Sequence, residues 1–485
     1  MASTFSGLGT ALSSLIAQRQ ALTVAGQNIA NANTPGYTRQ RVDLASVPGA
    51  QVPSMFATSD GVGMGTQVTG ISRLSDQFLD TQLRSHTGTA SSLAARADAY
   101  TTLETSLGEP STTGLSAQLS TFWSGWHDVA NSPDDQAART VLLDDARQVT
   151  ETLHSRYADL QTQWQQARVT ASTLVDQTDT LAAGVADLNA RILDITNSGG
   201  SANELADQRD QLVTQLSGLV GASARQRPDG QLDVMVGGNA LVSGATVRKL
   251  ALAGAQAFST ATGDAAATPP VAGQGVRVVW ADSPAQDAAL SGGRVAGLLT
   301  VLAAPDATGT GGMLTEAAAS LDKVAASLAS GVNALHGTAL TVAGTPGGAF
   351  FTLPGSGSAA AGIAVALTSP DQIAVAAPAQ GALDGSVGQT IAGLADSATG
   401  PGAVWTAAVA QIGSQSASAG SRSTVAESAR ASAQTAQQSG ASVDTDEETV
   451  SMLAFQRAYQ GAARVLTAMD EMLDTLINRT GTVGR

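Results

Sequence analysis

The chain contains no cysteine, and its 485 residues include only two lysines, Lys249 and Lys323. Without cysteine there is no disulfide framework and no thiolate chemistry, and two lysines cannot form a polybasic membrane anchor. The formal net charge of −15 argues against a nucleic-acid partner, because nucleic acids bind to basic surfaces. No continuous run of 18 apolar residues is present, so the sequence predicts no insertion into a membrane.

Aromatic side chains are scarce. They make up 4% of the chain, whereas hydrophobic residues of all kinds make up 43%. A core with this composition should consist of many thin seams between helices rather than one bulky aromatic nucleus. We therefore predict a mainly α fold of long helices, with a coiled-coil pair of terminal helices and a small antiparallel β subdomain inserted between them.

The common motifs of enzyme chemistry are missing as well. The sequence has no His-Glu-x-x-His zinc motif, no Gly-x-Ser-x-Gly nucleophile elbow and no Gly-Lys-Ser/Thr phosphate loop. Glycines at 61–65 are interpreted as a surface loop, because the residues after them read as strand rather than helix. The paired carboxylates at 134–135 and 144–145 are assigned to solvated helix surface. We predict no catalytic, cofactor-binding or metal-binding residues, and the four histidines lie far apart at His86, His127, His154 and His336.

What the chain does contain is a long amphipathic pattern at its C-terminal end, over residues 444–477. Asp444 is predicted to cap this helix while Glu447 reaches back to it, and Arg479 and Gly481 mark its end. Apolar residues recur in steps of three and four, which is the seam of a helix that packs along its length on another helix. The seam consists of Met452, Phe455, Tyr459, Ala462, Leu466, Met469, Leu473 and Leu476.

The N-terminal end carries a similar row, interrupted at Arg19 and Gly26. We predict that the two terminal helices pair and bring the chain ends together, although each stripe by itself also suits the core of an ordinary helical bundle. Without a complete partner surface, both helices are expected to be loosely ordered in an unassembled chain. The row consists of Phe5, Leu8, Leu12, Leu15, Leu22 and Ile29.

Between the two ends the periodicity changes twice. Helical seams run through 76–219, including one helix from about 134 to 197. Alternating residues and turns then predict the β subdomain at 220–290, and helices with a short strand near 363–367 return over 291–440. The predicted organisation is therefore a terminal pair (1–45 with 441–485), a central domain (46–219 and 291–440) and the inserted β subdomain.

A turn follows the first helix, and its residues carry a resemblance. Pro35 and Gly36 suit the two central positions of a type II turn. The string resembles the N-terminal signature of bacterial flagellar axial proteins, namely the rod, hook and hook-associated subunits, and the C-terminal helix resembles their C-terminal signature. The signature turn consists of Asn31, Asn33, Thr34, Pro35, Gly36 and Tyr37.

Three internal stretches narrow the resemblance to one branch of these proteins. Residues 122–139, residues 203–213 and the Gly-Gly-Ala-Phe-Phe element at 347–351 look like the helical domain of the hook-associated protein 1 family. This chain departs from longer members between 354 and 362, where only a short Gly, Ser and Ala stretch stands, so their outer β domain is expected to be absent.

The resemblance implies a structural role in the flagellum, at the junction between hook and filament. Its implied partners are further copies in a ring or helical array, the hook protein, a second hook-associated protein, and a cytoplasmic export chaperone on the C-terminal helix. Because the first positive side chain is Arg19 and no apolar run follows it, we expect secretion without a cleaved signal peptide. Two alternatives remain: another axial subunit of hook or rod, or an unrelated exported helical adhesin or translocator.

Overall fold

The computed structural model describes residues 4–48, 63–306, 308 and 311–479. The fold is mainly α with small antiparallel sheets, which confirms the predicted fold class. The helices of this part of the chain are α1 (Thr4–Asn31), α2 (Gln77–Leu107), α3 (Leu115–Asn131), α4 (Gln136–Asn197), α5 (Asn203–Val220), α6 (Phe258–Thr262), α7 (Gly293–Val301), α8 (Met313–His336), α9 (Ala359–Gly362), α10 (Ser386–Ala392), α11 (Pro401–Ala441) and α12 (Thr445–Asp474).

The strands are short and none is longer than eight residues within the described ranges. They are β1 (Gln40–Ser46), β2 (Thr66–Arg73), β3 (Ser223–Gln226), β4 (Leu232–Val236), β5 (Asn239–Ser243), β6 (Thr246–Val247), β7 (Leu250–Gly254), β8 (Gly263–Asp264), β9 (Val271–Ala272), β10 (Val276–Trp280), β11 (Ser283–Asp287), β12 (Leu340–Thr341), β13 (Phe351–Thr352), β14 (Ala364–Val365) and β15 (Ala374–Ala376).

The two ends of the chain form one structural unit. Helices α1 and α12 pack against each other, and the antiparallel hairpin β1–β2 packs on α1. Gly7 lies against Met469, and the other end of α1 meets the start of α12, so the two helices run antiparallel. We call α1, β1, β2 and α12 the terminal unit. Both helices are complete in this structure, and the expected loose order of an unassembled chain stays a prediction.

The start of α12 follows the sequence prediction in one respect and departs from it in another. The Asp444 carboxylate accepts hydrogen bonds from the backbone N–H groups of Asp446 and Glu447, so it is the N-cap. Glu447 does not reach back to the cap, because it forms an ion pair with Arg39 at 2.9 Å. After Asp474 the helix ends in a π-helical turn, and the predicted stop at Gly481 lies outside the described residues.

The central domain, which we define as α2 to α11 with the intervening strands, is organised around the 62-residue helix α4. Its Asp135 carboxylate caps the first turn by accepting from the N–H groups of Ala137 and Ala138. Asp135 is exposed, as predicted, but it stands at the N-cap of α4 rather than on the side of the helix. The seam side chains Leu153, Leu160 and Trp164 are fully buried, since α3, α5 and α8 cover α4 along its length.

The region at 220–290 contains three separate sheets. Their strand orders are β3-β4-β5-β6, β11-β10-β7 and the two-stranded β8-β9. The predicted strand around 363–367 is reduced to β14, because α9 occupies the residues before it and Leu367 lies beyond the paired segment. The helix expected from Trp405 to Gly440 is α11, which starts four residues earlier at Pro401.

The Phe-Phe element supplies the aromatic centre of the central domain. Phe350 and Phe351 are buried, and their rings lie 6.1 and 5.8 Å from that of Phe122. His336 lies edge-on to Phe350 and is fully buried. Its Nδ1 lies 2.7 Å from the Gly348 carbonyl, and its Nε2 accepts a hydrogen bond from the Ala374 N–H. This arrangement requires a neutral ring, and burial lowers the pKa of His336.

Candidate assembly surface

Local hydrogen bonds shape the signature turn, which follows the last residue of α1. Asn31 closes it, since its carbonyl accepts from the Thr34 N–H and its side-chain oxygen accepts from the Thr34 hydroxyl. The Tyr37 N–H donates to the Thr34 carbonyl, and Gly36 has a φ of 77°. These are the features of a type II turn, in which the third residue needs a positive φ that glycine adopts without strain. Asn33 is exposed at the tip.

Asn28 is the residue that holds this turn in place. It is 1% exposed. Its Nδ2 donates to the Gln40 carbonyl, and its Oδ1 accepts from the Gln40 N–H and from the Tyr37 hydroxyl, at 2.9 to 3.0 Å. Sequence reasoning did not assign Asn28 a role. Its position on the same helix face as Ala21, Val24 and Ala25 could have indicated one, because a buried polar residue needs hydrogen-bond partners within the protein.

The Tyr37 side chain lies between the terminal unit and α5. Burial, together with the negative charges of Glu204, Asp207 and Glu448, raises the pKa of Tyr37 to about 12. The hydroxyl therefore stays protonated over the physiological range. A protonated hydroxyl can donate to Asn28, as the 2.9 Å contact requires.

Helix α5 provides a polar seat for the signature turn. Gln211 Nε2 donates to the Pro35 carbonyl at 2.6 Å, and the Asp207 carboxylate accepts from the Thr38 N–H at 3.1 Å. A Cβ on Gly36 would lie 1.8 Å from Gln211 Nε2 and would displace that side chain, and the φ of 77° also favours glycine. The signature turn and residues 203–213, two separate motifs in the sequence, are therefore in direct contact.

Ion pairs also connect α5 with the hairpin β1–β2 and with α2. Arg73, at the end of β2, reaches Asp207 at 3.0 Å and Asp210 at 2.5 Å. Asp210 also pairs with Arg84 of α2 at 3.2 Å. Burial raises the pKa of Asp207, while Arg73 and the Thr38 N–H oppose that shift. The cost of removing this carboxylate from water thus outweighs its attraction to Arg73.

The face of α1 that is buried in the terminal unit is made of small side chains. Leu12 does not belong to that face, because 51% of it is exposed. Leu8, Leu15, Leu22 and Ile29, one heptad apart, are half-buried along its edge. Leu12 therefore takes no part in the contact between α1 and α12, and its place in an assembly interface stays a prediction. The side chain of Phe5 lies outside the described part. The buried residues of α1 are Ala11, Ala17, Ala21, Val24, Ala25 and Asn28.

On α12 the predicted seam is the half-buried side of the helix. Tyr459 is 38% exposed, and the side chain of Leu476 lies outside the described part. Glu448 is buried and pairs with Arg39 at 2.6 Å. The half-buried members of the seam are Met452, Phe455, Ala462, Leu466, Met469 and Leu473.

A second set of apolar side chains on the terminal helices has little cover. Six of them are between 47% and 67% exposed. Between α1, β1 and α12 there is also a recess of about 190 Å³ whose lining includes Val24, Leu44 and Phe455. A set of exposed apolar side chains on helices that are already paired is a candidate interface. We call it the outer stripe, and it consists of Leu12, Ile16, Val450, Leu453, Val465 and Met472.

Among the described residues no group of three or more histidines, aspartates and glutamates is placed to hold a metal ion. Over the same residues no helix has the length and apolar character needed to cross a membrane. His154 contacts the Ile363 carbonyl and His127 contacts Gln389, while His336 is enclosed as described above. These contacts hold loops and helices together.

Comparisons with known proteins match the chain from end to end. The family described as "Flagellar hook-associated protein FlgK helical domain" matches residues 100–351. Two families of flagellar rod proteins match residues 8–38 and 436–479. Flagellar hook-associated protein 1 of Bacillus subtilis (strain 168) is 30% identical over 519 residues, covering 100% of both chains.

The chain belongs to the flagellar hook-associated protein 1 family. Members from Escherichia coli (strain K12) and Salmonella typhimurium are each 32% identical, but the matched segments cover only 44% and 45% of those proteins. The solved structure of the flagellar hook junction protein FlgK from Burkholderia pseudomallei has the same fold, with a TM-score of 0.62 at 17% identity. It aligns with 74% of this chain and 100% of its own.

As a member of the hook-associated protein 1 family, the chain is a structural protein of the hook–filament junction of the flagellum. It lies on the exterior of the flagellum and works among other flagellar components. The family is a structural one, and nothing in the described residues points to catalysis.

Proposed function

We propose that the chain performs its junction role by packing the terminal units of neighbouring copies against one another in a ring or helical array. The observation that supports this is the outer stripe. Its six side chains project from two helices that are already paired, so a further copy is the surface that suits them. The central domain would then form the outer wall of the array.

The outer stripe makes a substantial apolar contribution to association. Completing the burial of a half-exposed aliphatic side chain contributes roughly 1 kcal/mol, so six such residues contribute about 6 kcal/mol per copy before the cost of association. Each interface in a closed array adds this amount again. In such an array the predicted rows, including Leu8, Leu15, Leu22, Ile29 and the seam of α12, lose their remaining exposure.

The partners at the two ends of the array would be the hook protein on one side and a second hook-associated protein on the other. The chain would leave the cell through the flagellar export route without cleavage of a signal peptide. The intact mass of the protein recovered from hook preparations tests that route. Loss of an N-terminal segment longer than the initiator methionine would contradict it.

Before export the C-terminal helix would be held by a cytoplasmic chaperone. The apolar residues of α12 recur at the spacing used when a helix binds in a groove. A chain truncated after Asp444 should lose the chaperone in a pull-down from cytoplasm, whereas a chain that lacks α1 should retain it. Equal recovery of the chaperone with both truncated chains would place its site elsewhere.

The junction role is tested by complementing a deletion strain with Leu12→Glu and with Val465→Glu. Each charge would be stranded inside the proposed interface, which should abolish filament growth on a normal hook and release flagellin into the medium. Leu383→Glu is the matched control, because Leu383 is 62% exposed but belongs to the central domain. Normal motility with both stripe variants would refute the proposed packing.

A further inference from the structure

The central domain contains a cavity of about 530 Å³ that none of the features described above uses. It lies between α2, β3, the turn that joins β4 to β5, and the segment that joins β11 to α7. Within the described part of the chain, no residue of the terminal unit lines it. A volume of several hundred Å³ is the usual size of a site for a small molecule.

Close approaches of the backbone hold the walls of this cavity in place. A Cβ on Gly221 would lie 2.7 Å from the carbonyl carbon of Gly292, and one on Gly88 would lie 3.2 Å from the Cα of Gly221. On another wall, a Cβ on Gly237 would lie 2.7 Å from the Ala289 carbonyl oxygen. Ala289 itself has a φ of 49°, and residues in such sparsely populated conformations persist where their surroundings hold them. The cavity is therefore preformed.

Arg84 of α2 supplies the charge of the lining. It is 7% exposed. Its Nη2 donates to Asp210 at 3.2 Å, and its Nε has no hydrogen-bond partner among the described residues. The Asp210 carboxylate is shared, because it also pairs with Arg73. Since a guanidinium has five N–H donors, Arg84 can bind a second anionic partner.

Three serine hydroxyls from three separate elements join Arg84 around the cavity. They belong to Ser85 of α2, Ser223 of β3 and Ser291 before α7, and all three residues are exposed. None of these hydroxyls has a hydrogen-bond partner within the described ranges. Over the same ranges no aspartate or glutamate lines the cavity, although the chain has 40 acidic and 25 basic residues. This lining favours an anion that also carries hydroxyl groups.

We propose that the cavity binds a small hydroxylated organic anion, of the size of a sugar phosphate or a sugar acid. Its oxyanion contacts Arg84, and its hydroxyls exchange hydrogen bonds with Ser85, Ser223 and Ser291. The volume exceeds what an inorganic anion fills, so the carbon chain of the ligand occupies the rest. This binding activity is independent of the assembly role, because no residue of the outer stripe takes part.

Isothermal titration calorimetry of the full-length chain tests the proposal with glucose 6-phosphate and with gluconate. At least one of them should bind with a saturable heat, and a difference between them identifies phosphate or carboxylate as the preferred oxyanion. Glucose is the neutral comparison. Its affinity should be lower by about tenfold or more, since hydrogen bonds to a charged group are roughly twice as strong as neutral ones.

Two variants locate the binding in the cavity. Ser291→Asp places a carboxylate in the lining at an exposed position and should abolish binding, whereas Ser124→Asp on the exposed side of α3 should leave it unchanged. Arg84→Gln should also weaken the anion that binds, by about tenfold or more. Because Arg84 is buried and paired with Asp210, its unfolding midpoint is recorded by tryptophan fluorescence, and Ser291→Asp decides the question if that midpoint falls.

Three results would each overturn the proposal. They are the absence of saturable binding by both anions, equal affinities of Ser291→Asp and Ser124→Asp for the anion that binds, and an affinity for glucose equal to that for the anion. All of these measurements use the isolated chain and none depends on motility. Their failure would therefore leave the proposed packing at the junction untouched.

Discussion

Replacing Asn28 by leucine tests how the signature turn is held. Asn28 is 1% exposed and bonds to both backbone groups of Gln40 and to the Tyr37 hydroxyl. Leucine has a similar size and no polar atoms. The substitution therefore keeps the volume of the site while it removes every hydrogen bond that joins the end of α1 to the start of β1 through this side chain.

The magnitude follows from the groups that are left without partners. The Tyr37 hydroxyl is only partly buried and can turn to water, whereas Gln40 is 4% exposed. Each buried backbone group that loses its hydrogen bond costs about 1–3 kcal/mol, so the two groups of Gln40 destabilise the terminal unit by roughly 2–6 kcal/mol. The additional apolar burial of leucine offsets about 1–2 kcal/mol of that.

Hydrogen exchange followed by mass spectrometry measures the result. Peptides from 4–45 of Asn28→Leu should lose protection from exchange, while peptides from α4 should keep it. The unfolding midpoint followed by tryptophan fluorescence should also keep its reference value, because all tryptophans lie in the central domain. Asn33→Ala is the control from the same signature, because Asn33 is exposed and has no hydrogen bond among the described residues. Unchanged protection in Asn28→Leu, or an equal loss in Asn33→Ala, would refute the argument.

Three further substitutions have defined outcomes. Gly36→Ala should lower the hydrogen-exchange protection of peptides from 4–45, since a Cβ would lie 1.8 Å from Gln211 Nε2, and the additional change Gln211→Ala should restore part of that protection. Arg139→Met should lower the tryptophan-monitored midpoint, because the buried guanidinium donates to the carbonyls of Pro133, Pro370 and Ile373. The pKa of His336 is lowered by burial, so the unfolded chain binds the proton more tightly. Stability should therefore fall as pH drops below the ordinary histidine value of about 6.5, and the same pH series on His336→Gln should lack that component; an identical slope in both proteins would contradict it.

Helix α4 was predictable from sequence because it has a long apolar seam and a clear stop. Asn197 ends α4 as expected, and the buried positions of Leu153, Leu160 and Trp164 follow the three-four spacing. Periodicity alone determines such a helix, since a face of that length has to be covered. Cap residues were less predictable, because Asp135 and the neighbouring Asp134 look equivalent in sequence and only backbone geometry distinguishes them.

The buried face of α1 was harder to predict from sequence. Leucine and isoleucine dominated the predicted row, yet Ala11, Ala21 and Ala25 are the residues that pack. Small side chains let two backbones approach closely, and a hydrophobicity pattern gives them too little weight. The contact between the signature turn and α5 could not be predicted from the sequence either, because Thr38 and Asp207 are 169 residues apart.

The antiparallel pairing of α1 with α12 has a consequence for the order of folding. Gly7 and Met469, which meet in the terminal unit, come from opposite ends of the polypeptide. A loop that spans nearly the whole chain must close before this pair can form, and contacts of such high sequence separation form late. The central domain also contains a long-range pair, α2 with α11, but it does not need the last helix, whereas α1 has to wait for it. A chain that is broken off at any point before α12 cannot complete the terminal unit, so formation of the pair reports that the whole polypeptide is present.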